Sequence, residues 1–310
     1  MDEASIWLDG ELVPWSEANV HVTSYGLTFG IGIFEAIRCW ETADGPIFFR
    51  PRAHLKRLRD TAQTYMVQLD KTDDEYLDIC RELLHANGLT EGHLRILIFM
   101  GEGDSPAAAS YRTAIIATEG TVALQPDDKT GAHAKISNVQ RLSVAGIPPG
   151  AKSTGQYVNS YLAQLDAMFS GCDHALLMSP SGHVVDGWVH NLFVVKEGTL
   201  ITPPLSAGVL KGITRATVMA LADDLGIPVI EENLSRTDVY AADEAFITGT
   251  LQGITPLASI DSRQLGEGTT GPVSQRVIDA FDDVVHGLSG THPEWRESAA
   301  LEAVPAEVGA

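Results

Sequence analysis

The sequence predicts an α+β fold in two unequal parts, and three observations lead there. Short apolar runs meet at tight turns, at Asp9-Gly10, Asp44-Gly45, Ser181-Gly182 and Glu197-Gly198, which is the pattern of antiparallel pairing. Amphipathic stretches with helix start and stop signals stand between the strand groups. A polar stretch, 119–129, divides the 310 residues into a smaller N-terminal part, 1–118, and a larger part, 130–285. Residues 286–310, polar and rich in Gly, Ala and Glu, read as a loose tail.

In chain order, 6–13 reads as a hairpin, and 34–40 and 46–49 read as strands. A helix over about 52–66 carries Leu55, Leu58, Ala62 and Tyr65 on one face. A second helix opens with the capping box Thr72-Asp73-Asp74-Glu75 and closes at Asn87-Gly88. Strands 94–100 and 113–118 flank a Gly/Ala/Ser-rich stretch, 101–111, read as a mobile loop. Beyond the polar stretch come a strand at 136–142, a Pro/Gly loop ending at Lys152, and a helix at 159–169. Strands at 174–178, 183–185 and 192–196 follow. A further helix carries Val218, Leu221, Ala222 and Leu225 on one face and stops at Gly226-Ile227-Pro228, and 245–248 is a strand.

Composition narrows the function. A net charge of −20 argues against nucleic acid and against an anionic membrane surface, both of which need basic patches. An anionic ligand must instead be held by local dipoles and a few placed arginines. Three cysteines without C-x-x-C spacing argue against a disulfide framework or a zinc site, and no metal is expected. The acidic start, Met1-Asp2-Glu3-Ala4, does not read as a signal peptide, and no apolar run approaches bilayer length. A cytoplasmic protein is the expectation.

Four motifs carry chemistry. Gly212-Ile213-Thr214-Arg215 opens a helix, where unpaired N–H groups, the helix dipole and the Thr214 hydroxyl form an anion cup suited to an organic phosphate. Taken alone, Thr214 is as well read as a helix cap. Lys152 follows a constrained loop with no acid nearby in sequence, a setting for an amine nucleophile or for a lysine that closes a loop. Asp186 ends an apolar strand, as a turn former or as the partner of a buried cation. The segment 249–256 supplies small residues and hydroxyls whose N–H groups suit a second anion, or a plain strand-to-loop turn. One lysine, one carboxylate and two anion cups are together what pyridoxal-phosphate chemistry requires.

The order of these segments resembles the class IV aminotransferases, most closely the branched-chain amino acid aminotransferases. The resemblance runs from Ile6 to Asp261 and includes Tyr25 to Gly30, Phe34-Glu35-Ala36-Ile37-Arg38, Phe49-Arg50, His54 to Leu58, Lys152 with Tyr157, Asn191-Leu192-Phe193, Gly212 to Arg215 and Gly249-Thr250. It implies fold type IV: a smaller N-terminal α/β domain and a larger domain with a mostly antiparallel sheet or pseudo-barrel. Pyridoxal 5'-phosphate would sit between them, in a homodimer.

By this resemblance Lys152 binds the cofactor covalently and shuttles the substrate proton. Arg57, the N–H groups of Ile213 and Thr214, and the Thr250 hydroxyl hold the phosphate. Tyr157 meets the ring O3', and Asp186 faces the ring nitrogen. The N–H groups of Leu251 and Gln252 take the substrate carboxylate. Arg95 stands near a side-chain carboxylate, Phe29, Phe34 and Arg38 line the pocket, and Trp188 reshapes it. The implied activity is ping-pong transamination of an apolar or branched-chain L-amino acid, with an acceptor such as 2-oxoglutarate.

Departures from the family pattern leave other activities open. Asp186 stands for a glutamate, Trp188 and His190 stand for a small residue and a glutamate, and the 101–111 stretch lacks the usual motif. Gly253 in place of a common glutamate resembles the D-amino-acid and (R)-amine branches. A D-amino-acid or (R)-amine aminotransferase, an aminodeoxychorismate-lyase-like enzyme, and a degenerate member that no longer transaminates are therefore the alternatives.

Overall fold

A computed structural model of the chain describes residues 4–105, 107–120 and 131–301. Most of the expected linker, and the end of the expected tail, lie outside the described residues. So does Pro106, within the expected 101–111 loop.

The first half opens with a hairpin of β1 (Ser5–Leu8) and β2 (Glu11–Pro14). Its turn places Asp9 and Gly10 at φ of 52° and 114°, which is the chemistry a two-residue hairpin turn demands. Next come α1 (Tyr25–Phe29), β3 (Gly32–Trp40), β4 (Ile47–Phe49), α2 (Pro51–Thr64) and α3 (Asp73–Ala86). The half ends with β5 (Gly92–Met100) and β6 (Tyr111–Thr118). The capping box forms as expected: Thr72 Oγ1 accepts the Glu75 N–H at 3.2 Å, and Glu75 accepts the Thr72 N–H at 2.6 Å. Leu55, Leu58 and Ala62 of α2, with Tyr76, Leu77, Cys80, Leu83 and Leu84 of α3, cover one face of the sheet. That face presents Ile33, Ile37, Leu94, Ile96 and Ile98. Strand alternation sends Phe34, Ala36 and Arg38 to the opposite face, paired across to Leu97, Arg95 and His93. This second face supplies Phe34 to the site, while Glu35 points from the first face toward α2.

The second half runs β7 (Ala132–Gln140), α4 (Tyr157–Phe169), β8 (His174–Met178), β9 (Val184–Gly187), β10 (Asn191–Lys196) and β11 (Thr199–Thr202). It continues with α5 (Ile213–Asp224), β12 (Val229–Glu231), α6 (Arg236–Tyr240), β13 (Glu244–Gly249), β14 (Gly253–Ile260), β15 (Arg263–Gln264) and α7 (Pro272–Val285). Its strands lie in the order β12-β11-β10-β13-β14-β7-β8-β9, and β15 extends β14. The β7–β8, β7–β14 and β11–β12 pairs are parallel and the others antiparallel. β9 pairs with β10 as well as β8, through Asp186 opposite Asn191, so β10-β13-β14-β7-β8-β9 close on themselves. The pseudo-barrel therefore shuts at the residue expected to face the cofactor ring. Among the described residues, no helix is long and apolar enough to cross a membrane.

Several features depart from the sequence expectation, among them β14, which makes 253–256 a strand where the segment 249–256 reads as a loop. The short α1 and α6 hold five residues each, too few for a periodicity to register. The longer α7 buries Val277, Phe281, Val284 and Val285, and its first turn is capped from a distance. Glu244 on β13 accepts the Val273 and Ser274 N–H groups at 3.0 and 2.7 Å, a contact that local sequence does not announce. The expected loose tail is instead ordered through 296–298, where β16 (Arg296–Ser298) pairs antiparallel with β4 as an edge of the first sheet. Trp295 provides the anchor: its ring lies 6.1 Å from Phe49, and the Arg50 guanidinium stacks over it at 4.6 Å. Glu297 adds ion pairs to Arg52 and Arg81 at 2.8 and 2.9 Å. Because this strap ties the end of the chain to the start of α2, Trp295→Ala is expected to cost about 1–3 kcal/mol. Thermal denaturation would show it as a lowered Tm, and an unchanged Tm would count against the anchor.

Candidate active site

The anion end of the site rests on Glu35 of β3. Its carboxylate has no exposed surface and binds Arg57 bidentately, Nε at 2.8 Å and Nη2 at 2.6 Å, with His54 Nδ1 at 3.0 Å. His54 and Arg57 are three residues apart on α2, so one helical face presents both. Burial alone would push the Glu35 carboxyl up, but Arg57 and His54 outweigh it and hold the group well below the usual carboxylate range. Burial pushes the His54 imidazole down. Arg57 Nη1 then donates to the Lys211 carbonyl at 3.0 Å, which brings the guanidinium to the start of α5.

There Gly212 is the N-cap and no side chain caps the helix, so the reading of Thr214 as a cap does not hold. The N–H groups of the first turn, including those of Ile213 and Thr214, are left to an outside acceptor. Glycine is required at 212, since a Cβ would collide with Asn191 Oδ1. Asn191 is itself fixed by donating to the Leu210 carbonyl at 3.1 Å. Arg50 donates to Thr217 Oγ1 at 2.9 Å and ties α5 to the start of α2.

Lys152 is held by both halves. Its N–H donates to Thr61 Oγ1 at 3.1 Å, and its carbonyl accepts from the Phe34 N–H at 3.0 Å. The ammonium lies 2.7 Å from the Tyr157 hydroxyl and 4.4 Å from the centre of the Phe34 ring. Tyr157 meets Phe34 edge-on at 5.0 Å, so the lysine head stands between two aromatic walls with one polar contact.

Asp186 is buried, with Arg141 Nη2 at 3.3 Å from its Oδ2, while its Oδ1 has no partner. Burial pushes its carboxyl up to about 6, against the opposing effects of Arg141 and of a backbone hydrogen bond from Leu210. Tyr157, Asp186, Arg141, Trp188, His190 and Asn191 line one small cavity. An unpartnered buried carboxylate oxygen calls for a cationic N–H donor.

The remaining expected residues divide. Thr250, Leu251 and Gln252 form the loop between paired Gly249 and Gly253, and Gln252 Oε1 lies 3.2 Å from His190 Nε2. Arg95 is exposed, opposite Ala36 on the face that carries Phe34. Trp188 lines the Asp186 cavity with its indole N–H buried and unpartnered. Arg38 lies two residues past Ala36 on that face, but its guanidinium is committed to Glu91 at 2.5 Å and to the Gly120 carbonyl at 2.9 Å. Phe29 is 65% exposed at the end of α1, stacked on Tyr25, and the fold does not bring it to Lys152. Glu35, His54 and Arg141 had no role in the sequence reading. His54 and Arg57 at i, i+3 were a legible signal, whereas the Arg141–Asp186 pair has none in local sequence.

These groups fit pyridoxal 5'-phosphate. The uncapped start of α5 beside Arg57 would hold the phosphate. The orphaned Asp186 Oδ1 would take the ring N–H, Tyr157 the ring hydroxyl, and Lys152 the aldehyde carbon. The family model for amino-transferase class IV matches residues 32–260. The branched-chain-amino-acid aminotransferase of Escherichia coli (strain K12) is 39% identical over 299 residues, covering 94% of this chain and 95% of that protein. A crystal structure of the Escherichia coli branched-chain amino acid aminotransferase superposes with a TM-score of 0.92 at 37% identity, over 96% of this chain and 99% of that one. The branched-chain amino acid aminotransferase of T.th., complexed with N-(5'-phosphopyridoxyl)-L-glutamate, gives 0.90 at 34% identity, with 96% and 99% covered. The chain is a member of the class IV aminotransferase family.

Proposed function

We propose that the chain is a pyridoxal-phosphate-dependent aminotransferase that moves the amino group of a branched-chain or similar apolar L-amino acid to a 2-oxo acid such as 2-oxoglutarate. The observation that carries this reading is the Lys152 ammonium, 2.7 Å from the hydroxyl of Tyr157, which itself lines the small cavity holding the buried Asp186 carboxylate. The relatives named for branched-chain substrates, and the glutamate adduct bound by one of them, support the two substrate classes. The bound cofactor supplies an electron sink for the Cα electrons.

The chain's own residues do the rest. Arg57 and the first turn of α5 bind and orient the phosphate. Asp186 Oδ1 holds a proton at the ring nitrogen, and Arg141 keeps that carboxylate in place. Lys152 Nζ would hold the cofactor's aldehyde carbon and, once free, would serve as the base that moves the substrate Cα proton. Phe34 and Tyr157 exclude water from the lysine head. The N–H groups of Leu251 and Gln252 take the α-carboxylate, and Arg95 meets a side-chain carboxylate when the acceptor carries one.

Gly253 no longer favours the D-amino-acid and (R)-amine reading. Its φ is +69°, and a Cβ would lie 3.0 Å from Phe281 Cε1, so the turn and its packing require glycine whatever the substrate. A homodimer fits the exposed apolar residues Leu27, Phe29, Val158, Tyr161 and Leu162. They stand on two segments joined where Thr154 Oγ1 donates to the Gly30 carbonyl at 2.6 Å.

A panel of L- and D-amino donors with chiral product analysis, run beside the visible spectrum, tests the activity. L-leucine, L-isoleucine and L-valine are expected to lead, and Lys152→Ala to lose turnover by about 10⁴-fold or more together with the cofactor band that borohydride bleaches. A preparation that never develops that band would overturn the reading. Asp186→Asn is expected to lower kcat by about 10²-fold or more while the cofactor remains bound. Unchanged kcat would remove Asp186 from the ring nitrogen.

The same variant reports on linkage in the cofactor-free protein. The folded Asp186 carboxyl holds its proton to about 6, against 3.8 for the free group. That contribution to stability is full below about pH 4 and is lost as pH rises through about 6. The Tm advantage of Asp186→Asn over the parent should therefore widen from pH 4.5 to 7, and a constant gap would contradict it.

A further inference from the structure

His190 is buried in the turn after β9, on no element that the proposed chemistry uses. The Gly187 N–H closes that turn on the His190 carbonyl at 2.7 Å. The His174 ring meets it edge-on at 5.1 Å. On the other side the imidazole packs straight onto the backbone of Gly249, where a Cβ would lie 3.0 Å from His190 Cδ2. Its Nε2 reaches Gln252 Oε1 at 3.2 Å, and its Nδ1 has no partner. An amide oxygen only accepts, so the imidazole donates through Nε2–H. Burial holds the ring neutral, pushed down to about 3, so it donates without adding charge beside Asp186.

We infer that His190 is a positioning residue which, through Gln252, fixes the 249–252 loop in the form that binds the substrate α-carboxylate. The inference rests on the proposed role of the Leu251 and Gln252 N–H groups. The loop is held at its base by the Gly249–Gly253 pair, and the three residues between lie outside the ladder. The His190 contact at Gln252 is therefore an anchor that bears on where the last two N–H groups point. The imidazole couples this loop to the 187–190 turn, so the carboxylate loop and the Asp186 strand form one rigid piece.

The test compares parent, His190→Ala, His190→Gln, Gln252→Ala and the His190→Ala/Gln252→Ala double variant as holoenzymes. The readouts are kcat and KM for L-leucine, and the Kd of 4-methylpentanoate followed by the cofactor's visible band. His190→Ala should raise KM and Kd by about 10-fold, the loss of one oriented hydrogen bond, with kcat within about threefold. His190→Gln, which restores an amide donor, should recover most of the loss. The double variant should be no worse than the worse single one, since both act through the same contact. If His190→Ala does not fold, His190→Gln and Gln252→Ala still carry the comparison. Normal KM in His190→Ala, no rescue by His190→Gln, or multiplicative effects in the double variant would overturn the inference. A parent that turns over leucine beside an unimpaired His190→Ala removes only this inference. A parent inactive on every donor removes the proposed function itself.

Discussion

A carboxylate with no exposed surface stands at the root of this site. Ionised and alone, Glu35 would be among the costliest groups a protein interior can hold. It is tolerated because a guanidinium fork and an imidazole from one face of α2 meet it with matched geometry. That requirement fixes the seat of α2 on β3. It also leaves Arg57 one free direction, toward the Lys211 carbonyl and the start of α5. The arginine is thus placed where an anion is wanted before any anion arrives. In a chain of net charge −20, such local preorganisation works against an unfavourable overall field.

The two ends of the site are built on different physics. At the end proposed for the phosphate, Glu35, His54 and Arg57 satisfy one another, and glycine at 212 is dictated by the Asn191 side chain it touches. At the Asp186 end, proposed for the ring nitrogen, polar atoms of Asp186, Trp188 and His190 lie buried without partners. Satisfied groups give rigidity at one end, while unsatisfied ones at the other leave hydrogen-bonding capacity open to a ligand. The pseudo-barrel closes at that second end, because Asp186 opposite Asn191 is the pair that joins β9 to β10.

Much of this was legible in the sequence, for reasons that differ by residue. Hairpin turns, the Thr72 capping box and the α5 stripe are local codes, and each appears where its residues stand. Lys152, Tyr157, Arg57 and Gly212 could be named because each belongs to a short recognisable segment. The Arg141 partner of Asp186, the Glu244 cap of α7 and the β16 strap are contacts between distant segments, which carry no local periodicity. Arg38 and Phe29 show the converse. Both sit in the right segments, yet Glu91 claims the guanidinium and α1 turns the phenyl ring outward.

The backbone of Lys152 has one further consequence. The lysine belongs to the chain of the second half, yet its carbonyl is bonded to Phe34, and its neighbour Ser153 bridges to Ile33 of the first sheet. Parting the halves like a clam shell would tear this seam and carry the amine away from the Phe34 ring. Reactants that enter and leave past surface loops would leave this seam, and the amine it carries, intact.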